Sequence, residues 1–376
     1  LPKAGPNDSA GDGAGDGDAA RQQARAMVEE VRKIAERMAL ASDQDVLWLA
    51  ERDPRRGGNE LRVAPLDVSH ALRDKLLTDK TVVFTSATLK LGGDFTSLAR
   101  SIGLQAAERV DHSLQAAAAD AAPDHTDPEA GPEADPEAGP DGPAVLPWRG
   151  IDVGSPFDYG KQAILYAAAG LPAPGRDGLA APQLTEICAL VEAAEGRTLG
   201  LFSSRRAAEA AAAHARDELP HLTMLCQGEA QLPELQRLFV EDPHACLFGT
   251  LSLWQGLDVP GDTCQLVIID RIPFPRPDDP LMSARTKAVA QAGGNGFMAV
   301  SATHAALLLA QGAGRLIRRS TDRGVVAVLD PRLVTARYGG FLRASLPPMW
   351  STTNREVALA ALRRLSAAAA GSPVAR

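Results

Sequence analysis

The sequence of 376 residues lacks the patterns of several common protein classes. Its cysteines, Cys188, Cys226, Cys246 and Cys264, lie far apart with no CxxC pair and no histidine at ligand spacing, so we expect free buried thiols and no metal site. No apolar run reaches the ~18 residues of a membrane span. The first residues have neither the basic nor the apolar region of a signal peptide. These absences predict a cytoplasmic protein that does not enter a membrane.

Three nucleotide-binding signatures are also absent. The sequence contains no GxxxxGK[ST] loop, whose backbone cradles phosphates, and no Asp-Glu pair follows an apolar run. It has no glycine-rich loop at a first strand-to-helix turn, which excludes a metabolic enzyme of the dinucleotide-binding type. Function must therefore be sought in other motifs.

The formal net charge of −8 is unevenly distributed. Between Arg109 and Arg149 there are nine acidic residues and no lysine or arginine, and residues 1–20 carry four aspartates against one lysine. The remainder of the chain is mildly basic, which permits a polyanionic partner without demonstrating one.

Residues 110–148 are rich in Asp, Glu, Pro, Ala and Gly, with the near-repeat "DPEAGPEADPEAGPDGP". A segment of this composition buries little apolar surface, so we predict a disordered insertion. Two interpretations remain open: a solvated spacer, or an acidic segment that competes with nucleic acid for a basic groove.

The first third of the chain predicts a helix and three strands. Residues 21–40 have helical apolar periodicity. Short strands are expected in "DVLWLAER" and "NELRVAPLDV", across a turn at "DPRRGG". The continuous apolar run in "TVVFTSATL" predicts a buried strand.

From residue 160 onward, apolar runs alternate with helical patterns. The runs are "QAILYAA", "RTLGLFSS", "LTMLC", "ACLFGT", "CQLVIID" and "GVVAVLD". The helical patterns cover residues 182–195, 205–218, 231–240, 280–292 and 303–319. This alternation predicts an α/β fold with a mostly parallel sheet, and functional residues at the carboxyl ends of its strands.

The stretch "QGAGRLIRR" places Gln311, Arg315 and Arg318 at i, i+4 and i+7 of the last predicted helix, on one face. Guanidinium groups present donors in a geometry that suits phosphate. Taken alone, the stretch also fits a solvated basic helix end that complements the helix dipole.

The order of short motifs resembles the C-terminal half of superfamily-two helicases, specifically the DinG/XPD-like family. The resemblance covers about residues 40–345 apart from the acidic insertion. The segments that carry it are "APLDVS" (64–69), "TSATL" (85–89), "GSPFDY" (154–159), "LFSSRRAAEAAAAHA" (201–215), "GTLSLWQGLDVPG" (249–261), "IIDRIPFPRPDDP" (268–280) and "QGAGRLIRR" (311–319).

The resemblance implies roles for named residues. Arg318 is expected to be an arginine finger that reaches the γ-phosphate of ATP, with Arg315 beside it and Gln311 positioning both. The remaining expectations are nucleotide contacts at Gly256, Asp258 and Gly314, DNA phosphate contacts at Thr250, Ser203, Ser204 and Arg205, and coupling between the two sites by Ser86 and Thr88.

The resemblance also implies an organisation in which this chain lacks the ATP-binding half. The family order places the phosphate-binding loop, most contacts to ATP and Mg²⁺, and the iron–sulfur cluster of many relatives upstream of residue 1. The expected units are a flexible segment (1–20), the end of motor domain 1 (21–109), the acidic insertion (110–148), a RecA-like motor domain 2 (149–348), and a C-terminal helix and tail (349–376).

The resemblance implies ATP hydrolysis coupled to translocation on single-stranded or forked DNA and to duplex unwinding, by a monomer that acts in DNA repair. The alternative is a non-catalytic nucleic-acid-binding remnant, although such a protein has no need of Gln311, Arg315 and Arg318 in register. Phosphate contacts do not distinguish DNA from RNA, so RNA stays open as a substrate.

Overall fold

The computed structural model describes residues 14–51, 57–110, 145–175, 178–250, 253 and 263–370. The strands in these residues are β1 (Asp45–Ala50), β2 (Glu60–Pro65), β3 (Ala163–Ala167), β4 (Thr198–Phe202), β5 (Thr223–Cys226), β6 (Ala245–Thr250), β7 (Leu266–Ile269), β8 (Gly324–Val328) and β9 (Trp350–Thr352). The α-helices are α1 (Ala14–Leu40), α2 (Ser69–Leu72), α3 (Thr96–Ser101), α4 (Tyr159–Gln162), α5 (Ala181–Ala193), α6 (Arg205–Glu218), α7 (Leu232–Glu241), α8 (Pro280–Gln291), α9 (Thr303–Ala313), α10 (Arg332–Thr335), α11 (Gly339–Ala344) and α12 (Arg355–Ala370).

Strands β3 to β9 form one sheet in the order β5-β6-β4-β7-β8-β3-β9. Every pair of neighbours is parallel. Because the strands are parallel, their carboxyl ends share one edge of the sheet and their amino ends share the other. The predicted α/β fold with a parallel sheet is confirmed.

Each face of the sheet is covered by helices, and alternate residues of a strand belong to different cores. In β7, Val267 and Ile269 pack in the core beneath α7, α9 and α11. Leu266 and Ile268 pack on the opposite face with α5, α6 and α12. Burial of both faces explains why these strands are continuous apolar runs in the sequence.

All six strands predicted after residue 160 are present, and β9 was missed. This strand is only three residues long, lies at the edge of the sheet beside β3, and leaves Trp350 exposed. An edge strand of this length has no apolar periodicity for a sequence pattern to detect.

The helix predicted over 303–319 is wrong at its C-terminal end, because α9 stops at Ala313. Gly314 is the residue that follows, and glycine is a poor helix former that often marks a helix end. Residues 314–323 form the connection from α9 to the start of β8 at Gly324. We call residues 314–323 the arginine loop.

The prediction of a buried strand in "TVVFTSATL" is also wrong for this structure. Residues 81–86 have no regular secondary structure, and the side chains of Val83 and Phe84 are 79% and 41% exposed. A buried strand requires neighbouring strands, and none of the described residues pairs with this segment. The residues of this apolar run are hydrophobic, but their hydrophobicity did not predict whether they are buried.

Helix α1 and the antiparallel hairpin of β1 and β2 confirm the N-terminal helix and strand predictions. The helix begins at Ala14, so residues 14–20 are helical although they were expected in the flexible segment 1–20. Apolar periodicity begins only at Ala24 in the sequence, so the periodicity did not predict that residues 14–20 are helical. The predicted turn at residues 53–58 lies mostly outside the described residues.

The two ends of the acidic insertion lie side by side. Val110 N donates to Trp148 O at 2.8 Å, and Trp148 N donates to Glu108 O at 3.0 Å. Glu108 is buried and forms an ion pair with Arg73, and its carboxylate also accepts from Leu146 N at 3.0 Å. Residues 111–144 lie outside the described residues.

Candidate functional site

Four polar side chains follow four adjacent strands at the carboxyl edge of the sheet. In the sheet order they are Gln227 after β5, Thr250 at the end of β6, Ser203 after β4 and Asp270 after β7. Adjacent strands lie about 5 Å apart. The edge therefore brings together residues that are as many as 67 positions apart in the chain.

Ser203 is held by the buried carboxylate of Asp270. The backbone N–H and the hydroxyl of Ser203 donate to the two carboxylate oxygens, each at 2.9 Å. Burial raises the pKa of Asp270 to about 6, although Arg271 and the bonds from Ser203 favour its ionised form. Arg271 lies 3.3 Å from Asp270 and also donates to the carbonyls of Gly175 and Gly178.

Thr250 is held in the same manner by an amide. Its backbone N–H and hydroxyl donate to Gln227 Oε1 at 2.7 and 3.0 Å. Gln227 N in turn donates to Phe248 O at 2.8 Å, which ties the end of β5 to β6. The hydroxyl hydrogens of Ser203 and Thr250 are thus directed to protein acceptors.

Ser204 and Arg205 form the start of α6. Ser204 is its N-cap, accepting a hydrogen bond from Ala207 N at 3.2 Å. Arg205 is exposed and pairs with Glu209 at 2.8 Å. Its guanidinium also covers Gly228, whose φ of +101° favours glycine. Positive charge and a helix N-terminus at this edge are chemically suited to an anion.

The structure therefore brings Thr250, Ser203, Ser204 and Arg205 together, as the spacing of strands and loops predicted. Gly256 and Asp258, expected to face a nucleotide, lie outside the described residues. Sequence reasoning missed Gln227 and Asp270. Each follows an apolar run directly, and that position was the available signal.

The arginines lie at the amino edge, in the loop before β8. Gln311 is half-buried in the last turn of α9, Gly314 follows the helix, and Arg315 is half-buried in the next turn. Arg318 and Arg319 are exposed. The predicted placement of Gln311, Arg315 and Arg318 on one helical face is wrong, because only Gln311 is in the helix.

Two buried side chains hold the arginine loop, and neither was singled out from the sequence. Asp322 Oδ2 accepts from the backbone N–H groups of Arg318 and Arg319 at 2.8 and 2.7 Å. Gln162, immediately before β3, donates from Nε2 to the carbonyls of Arg319, Ser320 and Asp322 at 3.0–3.1 Å. These bonds replace the helical hydrogen bonds that the loop lacks.

The two groups of predicted site residues are separated by the length of the strands. The arginine loop precedes β8 and the Ser203 and Thr250 group follows β4 and β6, so the groups occupy opposite edges of one parallel sheet. A strand of five residues spans about 17 Å. The sheet therefore carries two distinct candidate sites rather than one.

Ser86 and Thr88 form hydrogen bonds with each other. Their hydroxyl oxygens are 3.3 Å from each other, and Thr88 N donates to Ser86 Oγ at 3.2 Å. This local turn leaves Ser86 exposed. Among the described residues, neither side chain has a hydrogen bond to the arginine loop or to the carboxyl-edge group.

The cysteines are free, with Cys226, Cys246 and Cys264 buried and Cys188 half-buried. Burial raises the pKa of Cys246 and of Cys264 to about 12, so neither thiol is reactive near neutrality. No cluster of three potential metal-ligating side chains occurs in the described part of the chain. The described helices include none with the length and apolar character to cross a membrane.

Comparison with known proteins shows which helicases this chain is similar to. Residues 187–349 match the model of a helicase C-terminal domain. The "ATP-dependent helicase DinG" of Mycobacterium tuberculosis (strain H37Rv) is 51% identical over 354 residues, which are 92% of this chain and 47% of the relative. The "ATP-dependent DNA helicase YoaA" of Escherichia coli (strain K12) is 34% identical, over 77% of this chain and 39% of the relative.

A solved structure named XPD_APO matches at 17% identity with a TM-score of 0.39, over 52% of this chain and 40% of that chain. The chain spans about half the length of the curated relatives it matches. Its parallel sheet with helices on both faces is the RecA-like α/β fold that was predicted. Residues 187–349 thus match a helicase C-terminal domain, and 92% of the chain is similar to a DinG helicase, which confirms the predicted resemblance to the C-terminal portion of DinG/XPD-like superfamily-two helicases.

Proposed function

We propose that this chain is the C-terminal portion of an ATP-dependent DNA helicase and forms its second motor domain. The observation that carries the proposal is the placement of two different sites on opposite edges of one sheet. The arginine loop offers exposed positive charge at the amino edge, while Arg205 and the start of α6 offer it at the carboxyl edge. A motor needs one surface for nucleotide and another for DNA.

At the carboxyl edge, we assign the DNA phosphate contacts to Thr250, Ser203, Ser204 and Arg205. Phosphate oxygens only accept hydrogen bonds, and the hydroxyls of Ser203 and Thr250 already donate to Asp270 and Gln227. Arg205 therefore supplies the charge, and the two hydroxyl residues shape the surface against which the strand lies. Most of the affinity comes from such backbone contacts and falls with salt.

At the amino edge, Arg318 is assigned as the arginine finger, with Arg315 and Gln311 supporting it and Gly314 ending the helix beside the nucleotide. Phosphoryl transfer is accelerated by positive charge placed where negative charge develops. An arginine supplied by a second domain makes hydrolysis depend on closure of the cleft between domains. Gly256 and Asp258 are assigned as further nucleotide contacts, and Ser86 and Thr88 as coupling residues.

The first motor half, with its phosphate-binding loop, would bind most of the ATP and the Mg²⁺ that neutralises phosphate charge. We place the complete protein in the cytoplasm as a monomer acting on single-stranded or forked DNA in repair. An alternative function, a nucleic-acid-binding module without catalysis, is favoured by one observation. This chain carries a candidate DNA edge but no phosphate-binding loop in its sequence.

The proposal is tested by replacing Arg318 in the complete helicase. Arg318→Ala should lower DNA-stimulated ATP hydrolysis by about 10³-fold or more, because an arginine finger contributes that much to phosphoryl transfer. Affinity for single-stranded DNA should not change, since the DNA edge lies on the other side of the sheet. The measurement is steady-state ATPase kinetics with and without DNA.

Arg319→Ala is the matched control, because Arg319 is the next residue, equally charged and also exposed. This variant should keep at least half of the wild-type rate. Equal activity of the wild type and Arg318→Ala would reject the helicase assignment. We also expect residues 1–376 alone to show no ATPase activity, and turnover that depends on Arg318 in this chain alone would contradict the division of labour between the two halves.

A further inference from the structure

We propose that Asp322 and Gln162 are positioning residues for the arginine finger: they fix the backbone from which Arg318 extends. This inference rests on the proposed function of the arginine loop. Nothing in the motif pattern marks either residue, since Gln162 is 156 positions upstream of Arg318 in the sequence and Asp322 follows the motif.

Asp322 acts on the loop from its C-terminal side. Its carboxylate accepts the backbone N–H groups of Arg318 and Arg319 at 2.8 and 2.7 Å, while Asp322 N donates to Arg319 O at 3.2 Å. Hydrogen bonds from N–H groups to a carboxylate are charge-assisted and stronger than neutral ones. One side chain thus closes a turn that contains both exposed arginines.

Gln162 acts from the neighbouring strand. Its Nε2 donates to three carbonyls of the loop, those of Arg319, Ser320 and Asp322. Gln162 precedes β3 and the loop precedes β8, and these strands are paired. Arg323 adds a further bond across the same junction, from Nη1 to Lys161 O at 3.2 Å. Residues 319–323, the C-terminal half of the loop, are therefore tied to the segment that precedes β3.

Burial separates positioning from catalysis here. Asp322 is 3% exposed and Gln162 is 6% exposed, so neither side chain can reach a nucleotide in a cleft outside the sheet. Arg318 is exposed, while its backbone N–H is hydrogen-bonded to the buried carboxylate of Asp322. A displacement of about 1 Å at a catalytic group can lower a rate by about 10²-fold. Loss of these backbone bonds should therefore lower the rate of ATP hydrolysis.

The experiment uses the complete helicase with Asp322→Ala and, independently, Gln162→Leu. Each substitution removes the side-chain hydrogen bonds to the loop and leaves the Arg318 side chain itself unchanged. We expect kcat for ATP hydrolysis to fall by about 10²-fold, with KM for ATP and affinity for single-stranded DNA within about twofold of the wild type. Asp322→Asn keeps an oxygen that accepts both N–H groups and should restore most of the rate.

Gln265→Met is the matched control, because Gln265 is equally buried at the amino edge, directly before β7, and its side chain makes no hydrogen bond to the loop among the described residues. Its kcat should equal that of the wild type. If Asp322→Ala does not fold, Gln162→Leu and Asp322→Asn carry the test.

A double-mutant cycle with Arg318→Ala decides whether the two residues act through the finger. In the Arg318→Ala background, Asp322→Ala and Gln162→Leu should cause no further loss of kcat. If the losses in kcat multiply in the double variants, the inference is overturned and the helicase assignment stands. The same holds if both single variants are fully active while Arg318→Ala is inactive. Full activity of Arg318→Ala overturns both.

Discussion

A single carboxylate, Asp270, shows how one residue links the DNA edge to the core. It is 1% exposed, it receives both donors of Ser203, and burial raises its pKa to about 6. In the unfolded chain its pKa is the ordinary value of 3.8. The folded protein therefore binds a proton at this site between about pH 4 and pH 6, where the unfolded chain does not.

The sign of the resulting pH dependence follows from the direction of the shift. A raised pKa means that Asp270 contributes stability fully below about pH 4, and that this contribution is lost as pH rises through about 6. The difference corresponds to about 3 kcal/mol. The variant Asp270→Asn lacks this contribution. Its free energy of unfolding, relative to that of the wild type, should therefore decrease by about that amount as the pH falls from 7 to 4.

Urea denaturation of both proteins at intervals of one pH unit from 4 to 7 measures this difference. Asp217→Asn, at an exposed carboxylate of α6, should keep the pH slope of the wild type. A slope in Asp270→Asn identical to that of the wild type would show that Asp270 does not titrate in this range.

At the scale of elements, the central strand β4 is constrained by the aromatic side chains around it. Phe202 and Phe248 pack with ring centroids 5.4 Å apart in the core beneath α5 and α6. Gly200 lies between them, and a β-carbon at this position would be 2.5 Å from Phe248 Cδ1 and 2.8 Å from Phe202 Cε2. The strand therefore needs glycine for space rather than for backbone freedom.

Gly200→Ala should lower the free energy of unfolding by about 1–3 kcal/mol, because the rings must move in a packed core. Chemical denaturation monitored by circular dichroism provides the measurement. In the control Gly340→Ala, on α11, the new methyl group meets no atom within 4 Å, so stability should not decrease. Equal stability of the two variants would show that the ring pair is free to shift.

The end of α9 at Ala313 is an element boundary that the apolar periodicity of the sequence did not predict. Apolar residues at Leu316 and Ile317 continue the helical period beyond the end of α9, and both are buried. Their burial is achieved by a loop instead, because Asp322 and Gln162 supply the hydrogen bonds that a helix would have supplied. Local periodicity reports which side chains are buried and not which backbone conformation buries them.

At the scale of the whole molecule, the N-terminal residues dock on the sheet domain through a few specific bonds. Gly92 N donates to Ser345 Oγ at 2.7 Å, and Arg285 Nε donates to Leu66 O at 2.9 Å. The acidic insertion leaves this docked region at Val110 and returns at Trp148, directly beside it. Its removal should therefore leave the docking contacts in place.

Replacing residues 111–144 by a short glycine-serine linker should leave the melting temperature unchanged or slightly higher, since a shorter loop costs less entropy to close. We expect affinity for single-stranded DNA and its salt slope to stay unchanged, as the spacer interpretation requires. Fluorescence anisotropy at several salt concentrations measures both quantities.

The control keeps the length of the insertion and replaces its nine acidic residues by the corresponding amides. Tighter binding by both variants at low salt would contradict the spacer interpretation and support competition with DNA. Tighter binding by the deletion alone would indicate a steric effect of length.

The sequence by itself determined the α/β class, six of the seven strands of the sheet, and the family motifs. It did so because strands buried on both faces are continuous apolar runs, and because Ser203, Thr250 and the arginines stand in short local patterns. It also placed Ser203 and Thr250 at one edge, since parallel strands share their carboxyl ends.

Only the tertiary structure decided which residues hold those motifs. Asp270, Gln227 and Gln162 act across 23 to 160 positions of sequence, through bonds that exist only after the strands have paired. Asp322 bonds to Arg318 and Arg319 nearby in the sequence, in a loop whose conformation the helical pattern did not predict. The same holds for the end of α9, for β9 at the sheet edge, and for the exposed run at Val83. Burial and hydrogen bonding are properties of neighbours in space, and one-dimensional periodicity contains no information about partners brought together by the sheet.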